Sequence, residues 1–131
     1  MARLEFFVVA ESVSIDQLTN KLSVFNVLEE VREEEFPTTL LGCVVVSLWN
    51  AEPGDEERDF QIQLEMVAPD GQTRPFEQNL RIPRRRTRSI LQLRGIPVPC
   101  AGELVFRISL NNEYKASHVV HVVRDDDAGH G

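Results

Sequence analysis

The sequence predicts an all-β fold, a single-domain antiparallel β-sandwich of about eight strands. Hydrophobic and polar residues alternate with a period of two, as in FQIQLEM at residues 60–66 and LVFRISL at residues 104–110. Turn-forming sequences such as Pro69-Asp70-Gly71 and Asn111-Asn112 separate these runs. Runs that recur about every 10–15 residues between turns are typical of a sandwich or a barrel.

The alternating runs place eight strands in one domain that covers residues 1–124. A chain of 131 residues is of the right length for one such domain. In chain order the predicted strands cover residues 3–12, 20–31, 39–50, 58–68, 73–82, 87–94, 103–110 and 115–124. Residues 125–131 (DDDAGHG) form an acidic tail that we expect to be disordered.

The second predicted strand has a helical alternative. Ser14 and Gln17 have the spacing of a capping box, which commonly begins a helix. One face of that helix would carry Ile15, Leu18, Leu22, Phe25 and Leu28. The mediocre helix formers SVFNV at residues 23–27 argue against a helix. Periodicity alone therefore leaves strand and helix open for residues 15–34.

Five stretches of the chain resemble a family of short bacterial proteins whose function is unknown. They are LEFFVVAESV, NKLSVFNVLEEV, FPTTLLGCVVVSLW, FQIQLEMVAPDGQ and GIPVPCAGELVFRISLNNE, and together they cover most of residues 3–113. The resemblance implies an immunoglobulin-like antiparallel sandwich in which residues 20–31 form a strand. It implies no catalytic or binding residues. The run Arg84-Arg85-Arg86 and the acidic tail depart from the family's pattern.

The two cysteines do not have the spacing of the immunoglobulin disulfide. Trp49 follows Cys43 by only six residues, and Val98 stands two residues before Cys100, where immunoglobulin domains have a tyrosine. The apolar stretch near the N-terminus is interrupted by Glu5, unlike a secretion signal. We therefore expect reduced thiols and a cytoplasmic protein.

The charge of the chain is distributed unevenly. The net charge is −7, and residues 1–60 hold thirteen acidic and four basic side chains, whereas residues 61–100 hold seven arginines and three acids. An acidic chain repels nucleic acid, so no nucleic-acid partner is predicted. The apolar run of residues 40–49 is shorter than the ~20 residues of a membrane span, so no membrane partner is predicted either.

The arginine run is a candidate contact for an anion or an acidic partner. It comprises Arg84, Arg85, Arg86 and Arg88, whose guanidinium groups bind carboxylates and phosphates in bidentate fashion. Two alternatives remain open. The run is a solvated hairpin tip that discourages aggregation between strand edges, or it pairs with the acidic residues Asp55, Glu56, Glu57 and Asp59 at the same end of the sandwich.

Three predicted strands are apolar on both faces, although a sandwich strand needs only one apolar face. LEFFVVA, LLGCVVVSLW and HVVHVV show this pattern. The candidate interaction face consists of Phe7, Val9, Leu41, Cys43, Val45 and Trp49. A second copy or another protein would cover it; the alternative is cover by the chain itself, for instance by residues 12–35 as a helix.

No motif predicts catalysis, a metal site or a cofactor. His118 and His121 lie three residues apart on a predicted strand, so they point to opposite faces. The acidic cluster GDEERD lacks the alternate spacing of a calcium loop. We therefore predict a non-enzymatic protein-interaction or self-associating module. The alternative is a sandwich that binds an anionic or sugar-like molecule at its loops, with Trp49 and the arginine run as contacts.

Overall fold

The computed structural model describes residues 1–55, 58–81 and 85–125. The described residues form nine strands, and none of these residues is helical. The described part of the chain therefore contains no helix that could cross a membrane. The strands are β1 (Arg3–Ile15), β2 (Leu22–Val27), β3 (Glu30–Glu33), β4 (Thr38–Asn50), β5 (Asp59–Val67), β6 (Thr73–Arg81), β7 (Arg86–Val98), β8 (Gly102–Leu110) and β9 (Glu113–Arg124). The all-β prediction is confirmed.

The strands form two sheets that pack face to face. Sheet A has the order β2-β1-β4-β7, and sheet B has the order β3-β9-β8-β5-β6. All pairs are antiparallel except β3 with β9. The order β1-β4-β7 matches strands A, B and E of an immunoglobulin domain, and β9-β8-β5-β6 matches G, F, C and C′. The sandwich is therefore immunoglobulin-like, as the resemblance implies.

The stretch predicted as one strand at residues 20–31 is two strands in different sheets. The amide of Leu28 donates to the Val9 carbonyl of sheet A at 2.8 Å, and the Glu29 carbonyl accepts from His121 of sheet B at 2.9 Å. The chain thus passes between the sheets at Leu28–Glu29. Each half pairs with a neighbouring strand, β1 or β9, and this pairing overrides the helical periodicity of residues 15–34.

The core lies between the two sheets in two adjoining clusters. The larger cluster is built around Val45, Leu64 and Phe106, and the smaller one around Trp49, Phe60 and Leu110. The indole nitrogen of Trp49 donates to the Ser47 hydroxyl at 2.9 Å, so the buried ring has a partner for its only polar atom. The period-two runs of β5 and β8 provide the facing side chains of both clusters.

Partway along β4 and β7, the side chains that face the core switch between odd-numbered and even-numbered positions. Cys43 and Val45 of β4 face the core, but so does Leu40, which is an odd number of residues away. The same change occurs on β7 between Leu93 and Ile96, around Gly95 with φ 63°. Because these segments are paired with each other, the two strands change faces together.

We expect the buried thiol of Cys43 to make stability depend on pH in alkaline solution. Burial raises its pKa to about 11 in the folded protein, from an ordinary 9.0. Between these values the unfolded chain loses this proton and the folded protein keeps it, so stability is lost as pH rises. From pH 9.0 to about pH 11, the unfolding free energy of the wild type should therefore fall by about 2 kcal/mol relative to that of Cys43→Ala, which has no thiol. Urea titrations at several pH values would measure the unfolding free energies of both proteins. The same pH dependence in both would contradict the prediction.

Candidate interaction surfaces

The structure corrects the placement of the predicted interaction face. Val9, Cys43, Val45 and Trp49 are buried between the sheets, and Phe7 is partly buried against both core clusters. These five side chains lie on the inner face of sheet A. Because both faces of β4 are apolar, its sequence does not indicate which face points to solvent. The predicted interaction face of β4 is the one that packs between the sheets.

Leu41 alone of the six residues is exposed, at 95% of its surface. It lies at the change of alternation, between the register pairs Leu40–Ile96 and Gly42–Arg94. Gly42 is required beside it, because a Cβ there would stand 2.7 Å from the Leu93 carbonyl oxygen. Leu41 is therefore separated from the predicted face by a local change in backbone direction.

The opposite, outer face of β4 is also buried. Val44 and Val46 alternate with Cys43 and Val45 and so point away from sheet B, yet they are only 4% and 0% exposed. Ala10, which pairs with Val44 on β1, is 0% exposed. A side chain at the outer face of a sheet is buried this fully only when another layer covers it.

The β1–β2 hairpin provides that layer. We call residues 11–26 the arm: β1 pairs with β4 only as far as Ala10, and beyond that point it pairs with β2 alone. Near the tip of the arm, the Asn20 carbonyl accepts from Arg88 Nη2 at 2.8 Å. Arg88 and Phe6 both lie beside Leu48 of β4, on opposite sides of it. If β1 continued straight from Phe6 to Ile15, its end would lie about 30 Å beyond the level of Arg88. The arm must therefore fold back across sheet A.

Local interactions shape the arm at its base and at its tip. At the base, Asn26 has φ 56°, and its side-chain amide donates to the Glu11 carboxylate at 2.9 Å. At the tip, the Asp16 carboxylate accepts from the amides of Leu18 and Thr19 at 2.8 and 2.9 Å. These hydrogen bonds lower the pKa of Asp16.

The two faces of the arm differ in burial. Val13, Leu22 and Val24 are half-buried, whereas Ser12, Ser14 and Ser23 are exposed. The valine and leucine side chains therefore lie toward sheet A. The chain covers its own second apolar face, which is the alternative weighed from the sequence, but the covering element is a β-hairpin rather than a helix.

The arginine run is partly neutralised by its own chain. Arg84 lies outside the described residues. Arg86 forms an ion pair and hydrogen bonds with Glu5, and this contact lowers the pKa of the Glu5 carboxyl. Arg88 reaches the arm, and the Arg85 carbonyl accepts from the Ala51 amide at 2.7 Å.

The acidic residues expected to neutralise the run pair with other arginines. Asp59 lies 3.2 Å from Arg81 Nε, and the buried carboxylate of Asp55 lies 3.9 Å from Arg58 Nη1. Glu56 and Glu57 lie outside the described residues, as do residues 126–131 of the predicted tail. The partner of Arg86 is thus Glu5 of β1 and none of the four acidic residues predicted for this role.

Among the described strands, β7 presents the longest free edge. It pairs with β4 on one side, and no described strand pairs with its other side. Arg86, Arg88 and Arg94 alternate with the core-facing Ser89 and Leu91, so the arginines project from the outer face. This edge stands where an immunoglobulin domain has its fourth strand, D.

A narrow groove separates β7 from β6 of the opposite sheet. It has a volume of about 10 Å³ and is lined by Phe76, Gln78, Ser89 and Leu91, among others. The Ser89 hydroxyl donates to the Gln78 side-chain oxygen at 2.6 Å and bridges the sheets across it. The core is thus nearly closed on this side, while the backbone of β7 remains open.

Two larger surface grooves are lined differently. One of about 320 Å³ lies on the outer face of sheet B beside Gln63, Glu65, Arg107 and Tyr114. Another of about 160 Å³ is lined by Pro37, Met66, Arg74, Pro97 and other residues. Neither involves the arginine run, and the buried Trp49 is not available as a loop contact for a small molecule.

His118 and His121 do not form a shared site, and His130 lies outside the described residues. His118 lies opposite the buried Phe106, and its Nε2 is 2.6 Å from the Leu28 carbonyl oxygen, whereas His121 lies opposite Glu103 on the outer face. In the part of the chain that the structure describes, no three His, Cys, Asp or Glu side chains are grouped as metal ligands.

Charged substitutions should distinguish the inner face from Leu41. Val45→Asp places a charge between the sheets and should lower the unfolding free energy by more than about 3 kcal/mol or prevent folding. Leu41→Asp should change it by less than about 0.5 kcal/mol. Urea unfolding followed by the fluorescence of Trp49, the only tryptophan, measures both. Equal losses would contradict the placement.

A second pair of substitutions tests the arm. Val24→Asp places a charge on its half-buried face, so amide exchange in residues 11–15 and 22–26 should become about tenfold faster while β5 and β8 stay protected. Ser23→Asp, on the exposed face of the same strand, is the matched control and should leave exchange unchanged. Equal effects of the two variants would show that the arm does not pack on sheet A.

The chain is similar to a solved structure and matches the model of a protein family. A crystal structure of an immunoglobulin-like protein from Pseudomonas aeruginosa is similar over 94% of this chain and 97% of that chain, with 16% sequence identity and a TM-score of 0.49. No curated protein matches the chain. The model of the family of unknown function DUF6941 matches residues 5–123, and the chain therefore belongs to this family.

Proposed function

We propose that the protein is a non-enzymatic protein-interaction module that binds an extended segment of another chain as an added strand beside β7. The observation that carries the proposal is the free edge of β7. A strand at the edge of a sheet presents unpaired amide and carbonyl groups, and many recognition domains bind peptides by pairing with such groups.

The other sheet edges are less suited to strand addition. Strands β2 and β3 have six and four residues. Strand β6 has nine, and it contains Pro75, which cannot donate a backbone hydrogen bond. Strand β7 has thirteen, and its nine residues from Arg86 to Arg94 contain no proline. Its length and composition support β7 as the binding edge.

A photo-crosslinking experiment tests the proposal. Benzoylphenylalanine at the exposed Gln92 of β7 should trap one protein on irradiation in nuclease-treated host lysate. The same residue at Glu103, exposed on β8 in the middle of sheet B, is the matched control and should not trap it. The trapped protein is then purified separately and added to the unmodified protein without crosslinking. It should slow amide exchange at every second residue of β7.

Two outcomes would contradict strand addition at β7. One is equal crosslinking from Gln92 and Glu103, and the other is a purified partner that leaves the exchange of β7 unchanged. Crosslinking from Gln92 to a second copy of the chain would identify the added strand as a segment of that copy.

A further inference from the structure

We infer that the segment bound by β7 is an acidic, extended stretch of a partner protein, in which carboxylate side chains alternate with small apolar ones. The inference rests on the proposed function, because it assigns the chemistry of the strand that β7 would bind. In an added strand, successive side chains point to opposite faces of the sheet. The two faces of sheet A at β7 therefore select the two kinds of side chain separately.

The outer face at β7 favours carboxylates. Arg88 and Arg94 project there, and Arg94 is exposed and forms no ion pair with any described residue. Arg88 donates through Nη2 to the arm and its Nη1 is buried, so it adds positive charge at this face while Arg94 remains open to a partner. Directly opposite pairs of unlike charge stabilise neighbouring strands, so an acidic residue opposite Arg94 would strengthen the added strand.

The inner face at β7 favours small apolar side chains. The groove beside Leu91 and Phe76 holds only about 10 Å³ and is bridged by the hydrogen bond between Ser89 and Gln78. A large side chain would have to break that bridge and separate the sheets. A valine or alanine can cover the half-buried edge of Leu91 without entering the groove.

The charge of β7 disfavours a second copy of β7 as the occupant. A two-fold pair of β7 strands centred on Leu91 would place Arg88 opposite Arg94, and one centred on Ile90 would place Arg86 opposite Arg94. Like charges directly opposite each other destabilise paired strands. The same arginines that attract an acidic segment thus discourage pairing between two copies of this edge in these two registers.

Synthetic peptides provide the test on the intact protein. The probe is an eight-residue Asp-Val repeat with blocked ends, titrated into isotope-labelled protein and followed by amide exchange and chemical shifts. It should slow exchange at every second amide of residues 86–94. Arg94→Glu should weaken binding about three- to tenfold. Arg107→Glu, an exposed arginine on β8 of the other sheet, is the matched control and should not weaken it.

Two comparison peptides separate the failure of this inference from failure of the proposed function. A Lys-Val repeat that binds equally well and protects β7 would overturn the preference for acid but leave strand addition intact. An Asp-Val repeat in which every backbone nitrogen is methylated has the same charge but cannot donate any strand hydrogen bond. Equal binding of the methylated repeat would overturn both.

The crosslinking result decides the case in which no peptide binds. If none binds although Gln92 traps a partner that protects β7, the acidic pattern is wrong and the proposed function stands. If none binds and Gln92 traps nothing, both are overturned.

Discussion

The burial of β4 on both of its faces is the constraint on which the rest of the structure depends. On one face Val45 and Trp49 pack between the sheets, and on the other Val46 is fully buried beneath the arm. A strand with two apolar faces requires a layer on each side, because either face left in water loses the hydrophobic stabilisation of burial. Sheet B is one layer, and the first forty residues must provide the other.

That requirement accounts for the unusual path of the chain between β1 and β4. An immunoglobulin-like strand order needs only one strand at this edge of sheet A, and here the chain first extends β1 into the arm and returns along β2. It then enters sheet B as β3, parallel to β9. The contact between Asn20 and Arg88 joins the arm to the far strand of the sheet, so the arm spans β4 completely.

The same arrangement determines which edge stays free. The arm crosses the outer face of sheet A and does not pair with β7, so the position next to β7 is left open among the described residues. The arginines here have unequal roles. Arg86 is neutralised by Glu5 and Arg88 is directed to the arm, whereas the exposed Arg94 has neither an ion pair nor a side-chain hydrogen bond with any described residue. An edge with exposed cations resists pairing with its own copy and attracts a strand of opposite charge.

The sequence by itself determined the all-β class, the antiparallel strands and most of their bounds. Strand β5 covers Asp59–Val67, where residues 58–68 were predicted, and β8 covers Gly102–Leu110, where residues 103–110 were predicted. Alternation is a local property of a strand with one buried face, so it can be read without knowing the neighbours. Only the tertiary structure decided which face of β4 is inside, because its two faces are equally apolar. It also decided the division of residues 20–31 between two sheets and the partners of the arginines, since both depend on backbone pairing between residues far apart in the chain.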